Sequence, residues 1–316
     1  KIPLFSRFFP LLYHKLISLW MKKYVSSLKS SFHFVYNKRK KKIHLIKGVI
    51  FEFLVRLGFN NGREKRLEAK EMSLTIEHLT GGYGHIPVLK DINFDVKSGE
   101  MVGLIGLNGA GKSTTIKNII GLLTPQKGKI MIDGETLQQA PEEYRKKIGY
   151  IPETPSLYEE LTLKEHIEVT ALAYDIPLEE AFKRAEPLLK TFRLDNKLEW
   201  FPANFSKGMK QKVMVLCAFL IEPSLYIIDE PFLGLDPLAI HALLELMDTM
   251  RKQGAAILMS THILATAEKY CDRFVVLHEG KLRANGTMAE LRAEFNLPES
   301  SLDDIYLALT KEEKVG

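Results

Sequence analysis

Two short stretches of the sequence carry most of its chemistry. The first is Gly106-Leu107-Asn108-Gly109-Ala110-Gly111-Lys112-Ser113, with the spacing G-x-x-x-x-G-K-[ST]. Glycines at these places let backbone N–H groups turn inward around phosphate oxygens, Lys112 reaches the β- and γ-phosphates, and the Ser113 hydroxyl ligates Mg²⁺. Gly106, Asn108, Gly109, Ala110, Gly111 and Thr114 belong to the same phosphate-binding set. The second stretch is Leu225-Tyr226-Ile227-Ile228-Asp229-Glu230, an apolar run closed by two carboxylates. Asp229 is placed for a metal and Glu230 for an attacking water, a division of roles that points to nucleotide hydrolysis rather than binding alone.

These residues need strands that end at one edge and a helix that starts there. Met101 to Ile105 reads as a short buried strand, and Lys112 to Leu123 follows at helical period, so a helix N-terminus adds partial positive charge beside the loop. Leu225 to Ile228 and Ala255 to Met259 read as further buried strands of a parallel sheet, and Ile148 to Pro152 as another strand. Ser73 to His78 and Ile92 to Val96 read as antiparallel strands, and Arg273 to Leu277 with Leu282 to Ala284 as a late hairpin turning at His278-Glu279-Gly280-Lys281. Between about Leu161 and Leu220 the pattern is helical, opened by the capping-box sequence Thr162-Leu163-Lys164-Glu165.

Composition separates the chain into two parts. Among 316 residues the net charge is +5, yet residues 1 to 71 hold 17 Lys and Arg against 4 Glu, a net of +13, and the remainder carries −8. The first 71 residues also hold 12 of the 30 aromatic residues, with a cationic run at Lys38-Arg39-Lys40-Lys41-Lys42. Such a segment suits an anionic lipid surface or RNA. The favoured expectation is that it lies outside the working protein, because Met72 opens a stretch that reads at once as a strand. Residues 72 to 316 form the functional domain, with a helical part over roughly 154–221 and a tail over roughly 291–316. An excess of acidic residues there gives no nucleic-acid footprint. The longest apolar run, Val213 to Ile221, has nine residues, where a membrane-crossing helix needs about 20. Cys217 and Cys271 are too few for a disulfide framework or a cysteine-rich metal site, which suggests a reducing cytosolic setting.

Between the two stretches stands Asn204-Phe205-Ser206-Lys207-Gly208-Met209-Lys210-Gln211-Lys212. It resembles the signature segment of ATP-binding cassette (ABC) ATPases, whose pattern is Leu-Ser-Gly-Gly-Gln. Ser206 and Gly208 keep the Ser and the second Gly; Phe205, Lys207 and Met209 replace the rest. Ser206 can cap a helix N-terminus and Gly208 leaves backbone N–H open to an anion. Gly234-Leu235-Asp236-Pro237 resembles the family's D-loop, His262 in Ser260-Thr261-His262 resembles its switch histidine, and Tyr83 resembles the aromatic on which adenine stacks. The other eight histidines read as surface or core residues. More narrowly, residues 150–162 and Ser301-Leu302-Asp303-Asp304-Ile305-Tyr306 resemble the Ecs-type ATP-binding subunits of Gram-positive bacteria.

The resemblance implies an α/β fold of the P-loop NTPase class, with an ABC ATPase core, an antiparallel β subdomain and an inserted α-helical subdomain. It implies ATP and Mg²⁺ as ligands, with Glu230, His262 and Lys112 catalytic and Ser113, Asp229 and Glu153 at the metal. Tyr83, Asp236, and Ser206 and Gly208 of a second copy would join the phosphate-loop residues in holding the nucleotide, in a head-to-tail homodimer. It further implies a separate integral-membrane permease as partner, with no nucleic acid, placing the chain at the cytoplasmic face of the membrane, in an exporter. One departure stands out: the family usually has Gln where this chain has Glu153. A carboxylate there can still ligate Mg²⁺. The alternatives are an ABC ATPase acting on ribosomes or nucleic acid and a regulatory nucleotide sensor without hydrolysis.

Overall fold

The computed structural model describes residues 73–312. The reading of residues 1 to 71 as a dispensable basic extension therefore lies outside the described residues. Two sheets carry the fold. Strands β1 (Ser73–Tyr83), β2 (Ile86–Lys97), β4 (Lys127–Ile132) and β5 (Glu135–Thr136) form an antiparallel sheet in the order β2-β1-β4-β5. The second sheet has the order β10-β9-β3-β8-β7-β6, built from β3 (Met101–Ile105), β6 (Ile148–Ile151), β7 (Leu225–Asp229), β8 (Ala256–Thr261), β9 (Arg273–His278) and β10 (Lys281–Gly286). Its members run parallel except β10, which returns antiparallel along β9.

Every residue of β3, β7 and β8 is buried. The reason is visible in the alternation of their side chains, since successive residues of a strand face opposite sides. Leu225, Ile227, Ala256, Leu258, Val102 and Leu104 join one core with Leu74, Ile76 and Phe94 of the antiparallel sheet and with Ile116 and Ile119 of helix α1 (Lys112–Ile119). Tyr226, Ile228, Ile257, Met259 and Met101 face a second core. That one is closed by helices α3 (Leu163–Ala173), α4 (Leu178–Thr191), α5 (Lys207–Leu220) and α6 (Pro237–Lys252). A strand covered on both faces is apolar along most of its length, and these are, up to Asp229 at the end of β7 and Ser260-Thr261 at the end of β8. The remaining α-helices among the described residues are α2 (Pro141–Lys146), α7 (Leu264–Tyr270), α8 (Met288–Glu294) and α9 (Leu302–Glu312).

Several boundaries differ from the sequence reading; β2 starts at Ile86 rather than Ile92, and β8 runs on to Thr261. The helix expected to run to Leu123 stops at Ile119, because Gly121 turns to φ +75° and its N–H and that of Leu122 fold back onto the Asn118 and Lys117 carbonyls. The first strand continues past His78 to Tyr83, because pairing of Gly81 with Leu89 and of Tyr83 with Ile86 recruits a glycine-rich stretch of low strand propensity. The Thr162–Glu165 capping box forms with both of its arms and starts α3. Among the described residues no helix is long and apolar enough to cross a membrane.

Candidate nucleotide site

The parallel order brings the C-terminal ends of β3, β7 and β8 side by side, with Ile105 beside Thr261 and Asp229 beside Ser260. The loop from Gly106 leaves β3 and turns straight into α1, whose N-cap, Gly111, sits at φ +112°. A side chain there would be strained by the backbone and its Cβ would stand 2.7 Å from Leu89 Cδ2. The loop thus presents its backbone to a cleft of about 190 Å³ lined by Leu107, Asn108, Gly109, Lys112, Ser113, Glu153, Glu230, Leu233 and His262.

The charged groups of the cleft form a chain. The buried Lys112 ammonium donates to the Gly106 carbonyl at 2.6 Å and lies 3.8 Å from Glu230 Oε1. The other Glu230 oxygen accepts from His262 Nδ1 at 2.7 Å and from the His262 N–H at 3.3 Å. An ionised carboxylate only accepts, so this contact puts a proton on Nδ1. Glu230 itself holds φ +48°, a conformation that costs a non-glycine residue on the order of 1–3 kcal/mol. Its N–H is pinned by the Ser260 carbonyl at 3.1 Å, and its side chain is held between Lys112 and His262. Asp229 accepts from the Ser260 hydroxyl. Burial pushes the Asp229 carboxyl up from its ordinary pKa, and Glu153 and Glu230 add to this, against the Ser260 hydrogen bond and the Lys112 charge.

Of the residues expected at the site, Asn108, Gly109, Lys112, Ser113, Glu153, Glu230 and His262 line one cleft. Gly106, Ala110 and Gly111 frame the loop, and Thr114 is buried beneath it, its carbonyl accepting from Asn118. Tyr83 is elsewhere: its exposed ring carries Lys117, whose ammonium lies 3.0 Å from the phenol oxygen. Ser206, Gly208 and Asp236 form a separate group. Ser206 caps α5 by accepting from the Met209 N–H at 3.2 Å, and Asp236 caps α6 and meets Lys212 at 2.6 Å. A Cβ on Gly208 would run into the Gly234 carbonyl, so the two segments touch through bare backbone. Lys212 and the backbone amides of α6 hold the Asp236 carboxyl below its usual range.

Three contributors escaped the sequence reading in the roles they take. Ser260 orients Asp229 and pins Glu230. The buried Gln211 donates from Nε2 to the Pro152 carbonyl at 3.2 Å, tying α5 to the residue ahead of Glu153. His166, read as a core or surface residue, is buried; it accepts from the Tyr158 N–H at 3.0 Å and faces the Thr162 carbonyl at 2.8 Å, fixing the loop after Glu153. These partners lie on distant segments, and the only local signal was the Ser260-Thr261-His262 run at a strand end.

Residues 89–233 match the family described as ABC transporter. Over 240 residues, 76% of this chain and 97% of the relative, the sequence is 62% identical to the ABC-type transporter ATP-binding protein EcsA of Bacillus subtilis (strain 168). The chain belongs to the ABC transporter family, as an ATP-binding subunit. A solved structure of an ATP-binding subunit of an ABC transporter superposes with a TM-score of 0.74 at 60% identity, covering 75% of this chain and 99% of that one. A more distant relative, the Nod factor export ATP-binding protein I of Burkholderia orbicola (strain AU 1054), is 35% identical over 204 residues, 65% of this chain and 67% of its own length. The fold is the P-loop NTPase arrangement of ABC ATPases, and the activity of such subunits is ATP hydrolysis.

Proposed function

We propose that this ABC subunit binds ATP with Mg²⁺ at the 106–113 loop, hydrolyses it through Glu230, and works as a head-to-tail pair that drives a separate integral-membrane permease. The observation that carries the reading is the chain Lys112–Glu230–His262 at a phosphate-type loop, with Lys112 and Glu230 buried and His262 half-exposed. Glu230 has two fixed partners, so its carboxylate is already aimed when a water enters as nucleophile. His262 orients that carboxylate and keeps Nε2 for the γ-phosphate. The Lys112 ammonium, together with the N–H groups of the loop, meets the charge of the β- and γ-phosphates. Tyr83 offers a ring face to adenine, an interaction worth about 1 kcal/mol.

The donors near the cleft suit Mg²⁺. Ser113 brings a hydroxyl, Asp229 and Glu153 bring carboxylates, and Asp229 sits in buried surroundings where a cation would favour its charged form. Among the described residues no group of three or more His, Cys, Asp or Glu stands ready to hold a metal alone. This agrees with an ion shared between one or two side chains and substrate phosphates. Bound there, Mg²⁺ would neutralise phosphate charge.

Ser206 and Gly208 lie outside the cleft, and a second copy would bring them to it with the N-terminus of α5 facing the phosphates. The segment 153–160, tied to α5 through Gln211 and to α3 through His166, is the route by which opening and closing reach the permease. That partner places the chain at the cytoplasmic face of the membrane. Export is the direction supported by the likeness to a Nod factor export subunit. The test is Glu230→Gln: ATP turnover should fall by about 10²–10⁴-fold with ATP still bound at near-parental affinity. Turnover within about tenfold of the parent would remove Glu230 from the role of base.

A further inference from the structure

Helix α9 reaches the nucleotide loop from outside the elements that build the cleft. Its residues Leu302, Ile305, Tyr306 and Leu309 are buried in a third cluster that includes Ile105, on which β3 ends, and Phe274 and Val276 of β9. The start of the helix is tied to α7, where the Leu302 N–H donates to Glu268 Oε2 at 2.9 Å. Tyr306, only 6% exposed, then places its phenol oxygen to accept from the Leu107 N–H at 2.9 Å. Leu107 is the second residue of the loop. Its carbonyl accepts from the Ala110 N–H at 3.0 Å and stands 3.5 Å from the Lys112 ammonium. A hydroxyl 199 residues along the chain therefore satisfies a loop N–H whose own residue is a partner of Lys112. Removing that oxygen takes away the acceptor of this part-buried hydrogen bond, and with it the modest net support that one such bond gives the loop conformation.

We propose that Tyr306 is a positioning residue of the nucleotide loop: its hydroxyl holds the Leu107 peptide, and through it the Lys112 ammonium, in the geometry that receives the phosphates of ATP. Docking of α9 and binding of ATP are then coupled, and the coupling acts in both directions. Burial raises the Tyr306 phenol above its ordinary pKa, so the group stays a neutral hydroxyl at physiological pH. The inference rests on residues 106–113 being the ATP loop.

Calorimetric titration of the full chain with Mg·ATP separates the two. In Tyr306→Phe, which keeps the ring and loses one oxygen, Kd should rise by about threefold to tenfold, the loss of one hydrogen bond, while the number of sites per chain stays the same. Hydrogen exchange in α9 should be slowed by ATP in the parent and respond less in the variant. A Kd within about twofold of the parent, or an unchanged Kd with fewer competent sites, would overturn the positioning role and leave Tyr306 as a packing residue. Lys112→Ala is the separate control. If it bound ATP as tightly as the parent, the loop assignment itself would fail, whatever Tyr306→Phe did.

Discussion

The cleft at 106–113 and the face at 206–236 use similar residues under opposite conditions. In the cleft, Lys112 and Glu230 are buried and answer one another, and His262 completes the chain. At the other face, Ser206, Gly234 and Asp236 are exposed, and the Lys212–Asp236 pair keeps half of the Asp236 side chain in solvent. On the proposed reading, the first region carries the groups for hydrolysis, which Mg²⁺, ATP and a second chain would complete. The second is a capped helix N-terminus with bare backbone around it, and on the same reading it would meet an anion held by another copy. On that reading a single chain would hold two unlike halves, one with the groups for hydrolysis and one with the groups to close over a phosphate.

The largest test of that contrast is Gly208→Val. Its side chain has no room beside the Gly234 carbonyl, so the backbone of the signature segment must move. Hydrolysis should fall about fivefold to 150-fold, from displacement worth roughly 1–3 kcal/mol, while ATP binding to the 106–113 cleft, measured by calorimetry, stays within about twofold. Equal loss of binding would show that the two regions are not separate.

A smaller effect is expected at Glu153. Replacement by Gln removes a negative charge from the cleft that Asp229 also senses. The Mg²⁺ concentration for half-maximal ATPase should shift a few-fold, on the order of one partly screened charge contact. Superimposable Mg²⁺ curves would dismiss any metal role for this side chain.

The smallest change is at the cap of α6. Asp236→Ala removes the acceptor for the Ala239 N–H at 3.0 Å and the partner of Lys212. A lost N-cap is worth about 0.5–2 kcal/mol, seen as a drop of a few degrees in Tm. The sign with pH follows from the depressed Asp236 pKa. Its contribution is complete above the ordinary carboxylate range and is lost as pH falls through the lower folded value. The Tm difference between parent and variant should therefore be constant near neutrality and narrow in strong acid; a difference that grew with acid would contradict the ion pair.

The same contrast explains what the sequence made legible. The loop 106–113 is contiguous, so its glycines, Lys112 and Ser113 declare themselves, and the apolar run before Asp229-Glu230 marks a strand whose end must be a site. Ser206 and Gly208 are readable only through their order between those motifs, because three of five signature residues differ. What joins the site across the fold was not readable. Ser260 meets Asp229 from 31 positions away and Tyr306 meets Leu107 from 199, and no local period encodes such contacts. Helix ends were likewise set by one glycine turn at Gly121 rather than by the apolar period that runs past it.

The central claim is that these unlike halves meet between two chains, with ATP between them. Sedimentation of Glu230→Gln with and without Mg·ATP tests it most directly. Without nucleotide the chain should be a monomer; with Mg·ATP it should form a dimer that persists because turnover is blocked, and that Ser206→Arg in the same background abolishes. A Glu230→Gln chain that binds ATP to saturation and remains monomeric would contradict it.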